Sequence, residues 1–246
     1  MSFSFPSFIL CIAALATASI ARAETPAPGE YETPQGWGTL SVRNSQGGAL
    51  SFEIQSIGAN AHMCDLSGKI KGDKGYTDEE GAAAGEAPCV ISFRAVPAGY
   101  SVSAETGDAC RAFCGARAWF EGDYLAPPPG CKPAERAEQR AGFASQYRAK
   151  DYHHAYDTLD AFYQRCGKFL NWVEIDKVRN DLAVTQYHLG HKDACLAILR
   201  DTIGARETNE QELSLPPADL DAYLPGAQAT WFNLKLCGKG AKPPAR

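Results

Sequence analysis

Positive charge is scarce in this chain and nowhere concentrated. Lys and Arg number 24 against 29 Asp and Glu, for a net charge of −5. No basic run or stripe occurs, which excludes the electrostatic footprint of a nucleic-acid partner. Long apolar runs are lacking too. The stretch that begins Phe8-Ile9-Leu10-Cys11-Ile12-Ala13-Ala14-Leu15-Ala16 is too short to cross a bilayer comfortably. Motifs of nucleophilic and phosphate chemistry are missing as well. There is no Gly-x-Ser-x-Gly elbow, no phosphate-cradling glycine loop and no dinucleotide fingerprint. Histidine is sparse, at five residues.

Cysteine, by contrast, is plentiful and evenly spread. The short apolar run is followed by Ala21-Arg22-Ala23, with small residues at the two positions a signal peptidase reads. Residues 1–23 are therefore expected to be a secretory signal, with Glu24-Thr25-Pro26 opening a loose mature chain. Setting Cys11 aside leaves Cys64, Cys89, Cys110, Cys114, Cys131, Cys166, Cys195 and Cys237. An even set in an exported chain reads as four disulfides and places the protein in the periplasm or outside the cell, without a transmembrane segment in the mature chain. Zinc is the rival reading of Cys110-x3-Cys114, but no second close pair follows it.

Hydrophobic periodicity divides the chain in two, with the stretch from Asp108 to Tyr124 and on to Cys131 as the hinge. Residues 24–126 read as a β-rich module. Leu40 and Val42 alternate with polar neighbours, Ser45-Gln46-Gly47-Gly48 turns, and Leu50, Phe52 and Ile54 alternate again. His62, Cys64 and Leu66 continue the pattern. Gly72 to Pro88 reads as a polar loop. Cys89 to Val96 and Tyr100 to Ala104 form a second hairpin about Pro97-Ala98-Gly99, and Arg117 to Tyr124 a last strand. Short strands without an intervening helical period predict an antiparallel barrel or sandwich.

Residues 127–246 read as helices. Pro133 opens the first, in which Ala137, Ala141 and Ala144 recur at helical spacing up to Tyr147. Asp151 caps a second helix, with Ala155, Leu159, Phe162 and Cys166 on one face and Gly167 as a left-handed stop. Asn171 and Glu174 form a capping box for a third, whose stripe is Ile175, Val178 and Leu182 and which ends at Gly190. A fourth carries Cys195, Ile198, Leu199 and Thr202 and ends at Gly204. Residues Glu207 to Gly226 look irregular, and Ala227 to Cys237 a short final helix. The fold class expected is α+β.

Two stretches carry a resemblance. Tyr147-Arg148-Ala149-Lys150-Asp151-Tyr152-His153-His154-Ala155 resembles the middle of a tetratricopeptide repeat, as does Tyr187-His188-Leu189-Gly190-His191-Lys192-Asp193-Ala194-Cys195. The small positions, Ala155 and Cys195, are offset by an insertion near Cys166 to Trp172. The resemblance implies paired antiparallel helices, with small residues where their backbones cross. The cysteine-bearing β-module is similar in outline to periplasmic inhibitors of C-type lysozymes. Their Ser-Gly-x-x-Tyr loop is matched only at Ser67-Gly68, with no Tyr after it.

The remaining candidates are side-chain clusters. His153 and His154, with His188 and His191, could share a metal across two helix turns, but adjacent histidines on a helix diverge by about 100° and read better as solvated turn residues. Asp78-Glu79-Glu80 reads as a solvated run rather than a glycosidase pair. Neither a catalytic set nor a cofactor is therefore assigned. Aromatics supply the binding candidates: Trp119, Tyr124, Tyr152, Tyr156 and Trp172. The expectation is an exported, non-catalytic protein that binds a protein or peptide in the cell envelope. An inhibitor of a cell-wall hydrolase such as lysozyme, and a metal-dependent hydrolase, are the alternatives.

Helix lengths make a disulfide map. Two antiparallel helices of about 16 and 14 residues bring Cys131 and Cys166 together at their open end. The same logic pairs Cys195 with Cys237. The other four cysteines admit three connectivities, of which Cys64–Cys89 with Cys110–Cys114 is preferred.

Overall fold

A computed structural model describes residues 25–45, 48–77 and 88–238. The signal sequence expected over residues 1–23 and the Asp78-Glu79-Glu80 run lie outside the described residues.

Eight strands close into an up-and-down antiparallel barrel in chain order. They are β1 Gly29–Glu32, β2 Gly38–Asn44, β3 Leu50–Ile57, β4 Met63–Lys71, β5 Lys74–Thr77, β6 Val90–Val96, β7 Gly99–Ala104 and β8 Gly122–Leu125. β1 meets β8 at the Glu32–Leu125 pair, which closes the barrel. Period-two alternation sends Leu40, Val42, Phe52, Ile54, Leu66, Ile91, Phe93 and Val102 inward, all buried. Gly75 sits among them because a Cβ there would lie 2.7 Å from the Phe52 ring and 2.9 Å from Ile91. Tyr31 and Tyr100 meet edge to face at 5.3 Å, and burial beside Tyr100 pushes the Tyr31 hydroxyl up to about 12.

Several expectations need correction here. β5 occupies part of the stretch read as the Gly72–Pro88 loop; its Gly75 hid the alternation. The strand expected over Arg117–Tyr124 begins only at Gly122. His62 lies just ahead of β4. A short helix, α1 Gly107–Arg111, stands where no helix was expected.

That helix changes the disulfide map. Cys110 faces the start of β6 and bonds Cys89, whereas Cys114 lies past the helix in an antiparallel bridge with Cys64 and bonds it. Cα separations are 4.5 Å and 4.0 Å. The preferred pairs Cys64–Cys89 and Cys110–Cys114 are wrong for two reasons: β5 stands between Cys64 and Cys89, and the end of α1 turns Cys114 away from Cys110.

Five helices follow: α2 Pro133–Arg148, α3 Tyr152–Cys166, α4 Trp172–His188, α5 Lys192–Leu199 and α6 Pro217–Gly238. Cys131 bonds Cys166 and Cys195 bonds Cys237, as expected. Each bridge ties the start of one helix to the end of another, so α2 and α3 run antiparallel, and so do α5 and α6. The start of α3 meets the end of α4 where Tyr152 stacks on His188 at 4.4 Å and 6°. Asn171 and Glu174 form the capping box of α4, and Gly190 takes a positive φ of 87° just past its end.

Gly167 does not take the left-handed conformation expected of it (φ −55°); the chain tightens into a 3-10 turn over Gly167–Phe169 instead. α5 stops at Leu199, short of Thr202, whose hydroxyl donates to Leu199 O at 2.7 Å. α6 starts ten residues before Ala227 and carries Pro225 inside it. Tertiary contacts override the proline there. Asn180, Thr230 and Asn233 form a buried amide–hydroxyl chain, and Tyr223 donates to Asp176 at 2.7 Å.

Candidate functional site

The barrel has one plugged end. Segment 115–121 crosses it, held by Arg111, which donates to Gly115 O at 2.9 Å and Ala118 O at 2.8 Å. Ala118 and Phe120 point in and are buried. Trp119, between them, points out and is 52% exposed. Its carbonyl accepts from the inward Ser56 hydroxyl at 2.6 Å. Gly58 is pressed onto the same segment, where a Cβ would meet Arg117 O at 1.9 Å.

Around this end the apolar side chains face solvent. Ile57, the last residue of β3, pairs directly with Met63, the first of β4. They are 49% and 53% exposed. Ile57 N donates to Trp37 O at 2.8 Å, which extends the row across to β2. The Trp37 ring lies 5.7 Å from Trp119 and 6.0 Å from Tyr124. Tyr124 itself is fully buried below, with its hydroxyl donating to Phe120 O at 2.6 Å, and burial raises its pKa. Trp37, Ile57, Met63 and Trp119 thus form an apolar rim. At roughly 25 cal/mol per Å², covering each half-exposed side chain is worth on the order of 1 kcal/mol.

The rim borders the junction with the helices. Gly36, with φ +59°, packs so closely that a Cβ would lie 2.5 Å from Phe169 O. Arg136 of α2 donates to Glu32 at 2.7 Å, a buried pair. At the second contact Asn60 Oδ1 accepts from Ala218 N at 3.0 Å, while Asn60 N donates to Asp219 Oδ2 at 3.0 Å. This is a capping box for α6 completed by the barrel, since Pro216 ahead of the helix offers no side-chain acceptor. Trp172, next to Asn171 at this seam, packs on Tyr223 at 5.1 Å and keeps 36% of its surface exposed.

The five aromatic candidates therefore fall in different places. Trp119 and Tyr124 share one cluster through Trp37, Tyr124 as its buried support. Trp172 stands across the junction. Tyr152 and Tyr156 are elsewhere, half-buried in the helical core near Tyr147. Trp37, Ile57 and Met63 escaped the sequence reading, although Ile57 and Met63 break the polar phase of their strands. Comparison with family models, with curated proteins and with solved structures finds no match.

Three of the four candidate histidines are engaged locally. His154 Nδ1 lies 2.7 Å from Asp151, which the contact holds below the usual carboxylate range. His191 Nδ1 lies 2.6 Å from Gln186, and His188 is covered by Tyr152. Among the described residues no group of three or more His, Cys, Asp or Glu is placed to hold a metal ion, and no helix is long and apolar enough to cross a membrane.

Proposed function

We propose that this is an exported, non-catalytic binding protein that docks a protein partner of the cell envelope on the apolar rim of its barrel. The observation that carries the reading is the half-exposure of Ile57, Met63 and Trp119 at one barrel end. A cluster of exposed apolar side chains is costly to leave bare and characteristic of interaction surfaces. Four disulfides fit export. The helical half is read as tetratricopeptide-like. Support comes from Ala155 and Cys195, both fully buried early in the second helix of a hairpin. In this reading the helices brace the rim through the junction.

The test is capture from an envelope extract by the oxidised protein and by an Ile57→Ser, Met63→Ser, Trp119→Ser variant with unchanged far-UV circular dichroism. The partner retained by the first should be lost from the second; equal retention overturns the reading. Inhibition of a cell-wall hydrolase is the second reading, favoured by the closed eight-stranded barrel alone. Ser67 and Gly68 lie inside β4, paired with Glu53 and Phe52. C-type lysozyme should therefore turn over at an unchanged rate in the presence of equimolar protein.

A further inference from the structure

A cleft of about 290 Å³ opens between α2 and α4, far from the rim in chemistry. Its walls follow from helical spacing. On α2 Arg136 and Arg140 stand one turn apart, and on α4 Glu174, Lys177 and Val178 line the facing side at steps of three and four from Glu174, with Asp181 one turn beyond Lys177. Arg140 donates to Asp181 at 2.7 Å, so the later parts of both helices lie together and the two helices run the same way. Phe162 of α3, with Leu170 and Val178, forms an apolar floor.

The charges at the mouth are unequally committed. Arg136 is engaged by Glu32 and by Cys131 O, and Glu174 by the backbone N of Asn171. Arg140 uses Nη2 on Asp181, while its buried Nη1 has no hydrogen-bond partner. A buried donor without an acceptor costs free energy that a ligand oxygen or a water can return. Lys177 is exposed and has no partner among the described residues. In a chain of net charge −5, these two uncommitted donors beside an apolar floor select for negative charge on a small apolar body. The volume is at the lower end of small-molecule sites.

We propose that this cleft is a second binding site, independent of the rim, for a small carboxylate with a compact apolar tail. The tail rests on Phe162 and Val178, and the carboxylate meets Lys177, with the Arg140 guanidinium beside it. No bond is made or broken.

The probes are hexanoate, hexylamine and hexanol, titrated into the full oxidised chain and followed by saturation-transfer NMR. Hexanoate should bind saturably, with a dissociation constant on the order of 1 mM for so small a ligand. Hexylamine should not bind, and hexanol should bind more weakly than hexanoate. Lys177→Glu should weaken hexanoate by about tenfold or more, because an attraction becomes a repulsion. Lys69→Glu on the barrel makes the same charge change and should leave binding unaltered. The proposal is overturned if hexanoate fails to saturate by about ten times that constant, if hexylamine binds as well, or if Lys177→Glu has no more effect than Lys69→Glu.

Discussion

Glu32 shows how one residue can read one way in sequence and another in the fold. It ends β1 on the outer face, where a glutamate is ordinarily solvated, yet α2 covers it and Arg136 meets it. Burial holds its carboxyl above the ordinary 4.5 despite the arginine. The native state therefore binds that proton more tightly than the unfolded chain. The stability it contributes is fully present below the ordinary value and is lost as pH rises through the raised one. Urea midpoints of the wild type and Glu32→Gln between pH 4 and 7 should thus show the wild type losing ground relative to the variant as pH rises. A flat or opposite trend would mean that pairing with Arg136 matches or outweighs the burial. No sequence signal marks Glu32, because its cover comes from a helix about a hundred residues away.

At the scale of elements, the start of α6 is the informative case. Pro216 and Pro217 leave it without a cap of its own, and Asn60 supplies one from the β3–β4 turn. Asn60 holds φ +59°, a conformation asparagine tolerates better than most residues. Asn60→Gly keeps the turn and removes the cap, and should cost about 1 kcal/mol of stability by chemical denaturation. Asn60→Ala should cost more, since it adds backbone strain. Equal stability for wild type and Asn60→Gly would dismiss the cap. The hairpin of α2 and α3 rests on Cys131–Cys166, which closes a separation of 35 residues. In the chain-entropy model the bridge is worth about 3–4 kcal/mol. A Cys131→Ser, Cys166→Ser variant should lose amide protection in α2 first, because Phe143 is the one buried residue on that helix. Non-reducing peptide mapping should also find Cys64 with Cys114 and Cys89 with Cys110.

At the scale of the molecule, among the described residues the barrel and helices meet where Glu32 pairs with Arg136, where Gly36 packs on Phe169 and where Asn60 caps the start of α6. They should unfold together. Tryptophan fluorescence in a Trp172→Phe, Trp231→Phe background, which reports Trp37 and Trp119 at the barrel end, and far-UV circular dichroism, weighted toward the helices, are expected to give coincident urea transitions. Gly36→Ala drives a Cβ into Phe169 O and strains a positive φ. It should separate the two transitions; coincident curves in that variant would mean the junction carries little coupling.

Periodicity and spacing determined much of this protein without help. Alternation in Leu40–Ile54 and in the second hairpin marked barrel strands. The steps of three and four in Ala155–Cys166 marked the buried face of α3, and the antiparallel packing of successive helices paired Cys131 with Cys166 and Cys195 with Cys237. These are local regularities, and local geometry is enough to read them. The rest depended on what lies across the chain. Gly75 reads as loop and is strand because Phe52 and Ile91 fill its space. Pro225 reads as a breaker and sits in a helix anchored by Tyr223, Thr230 and Asn233. Cys110 and Cys114, four apart, part company because α1 turns them toward different strands. Only closure of the barrel and docking of the helices decided which aromatics face water, since exposure is a property of neighbours that no single stretch of sequence contains.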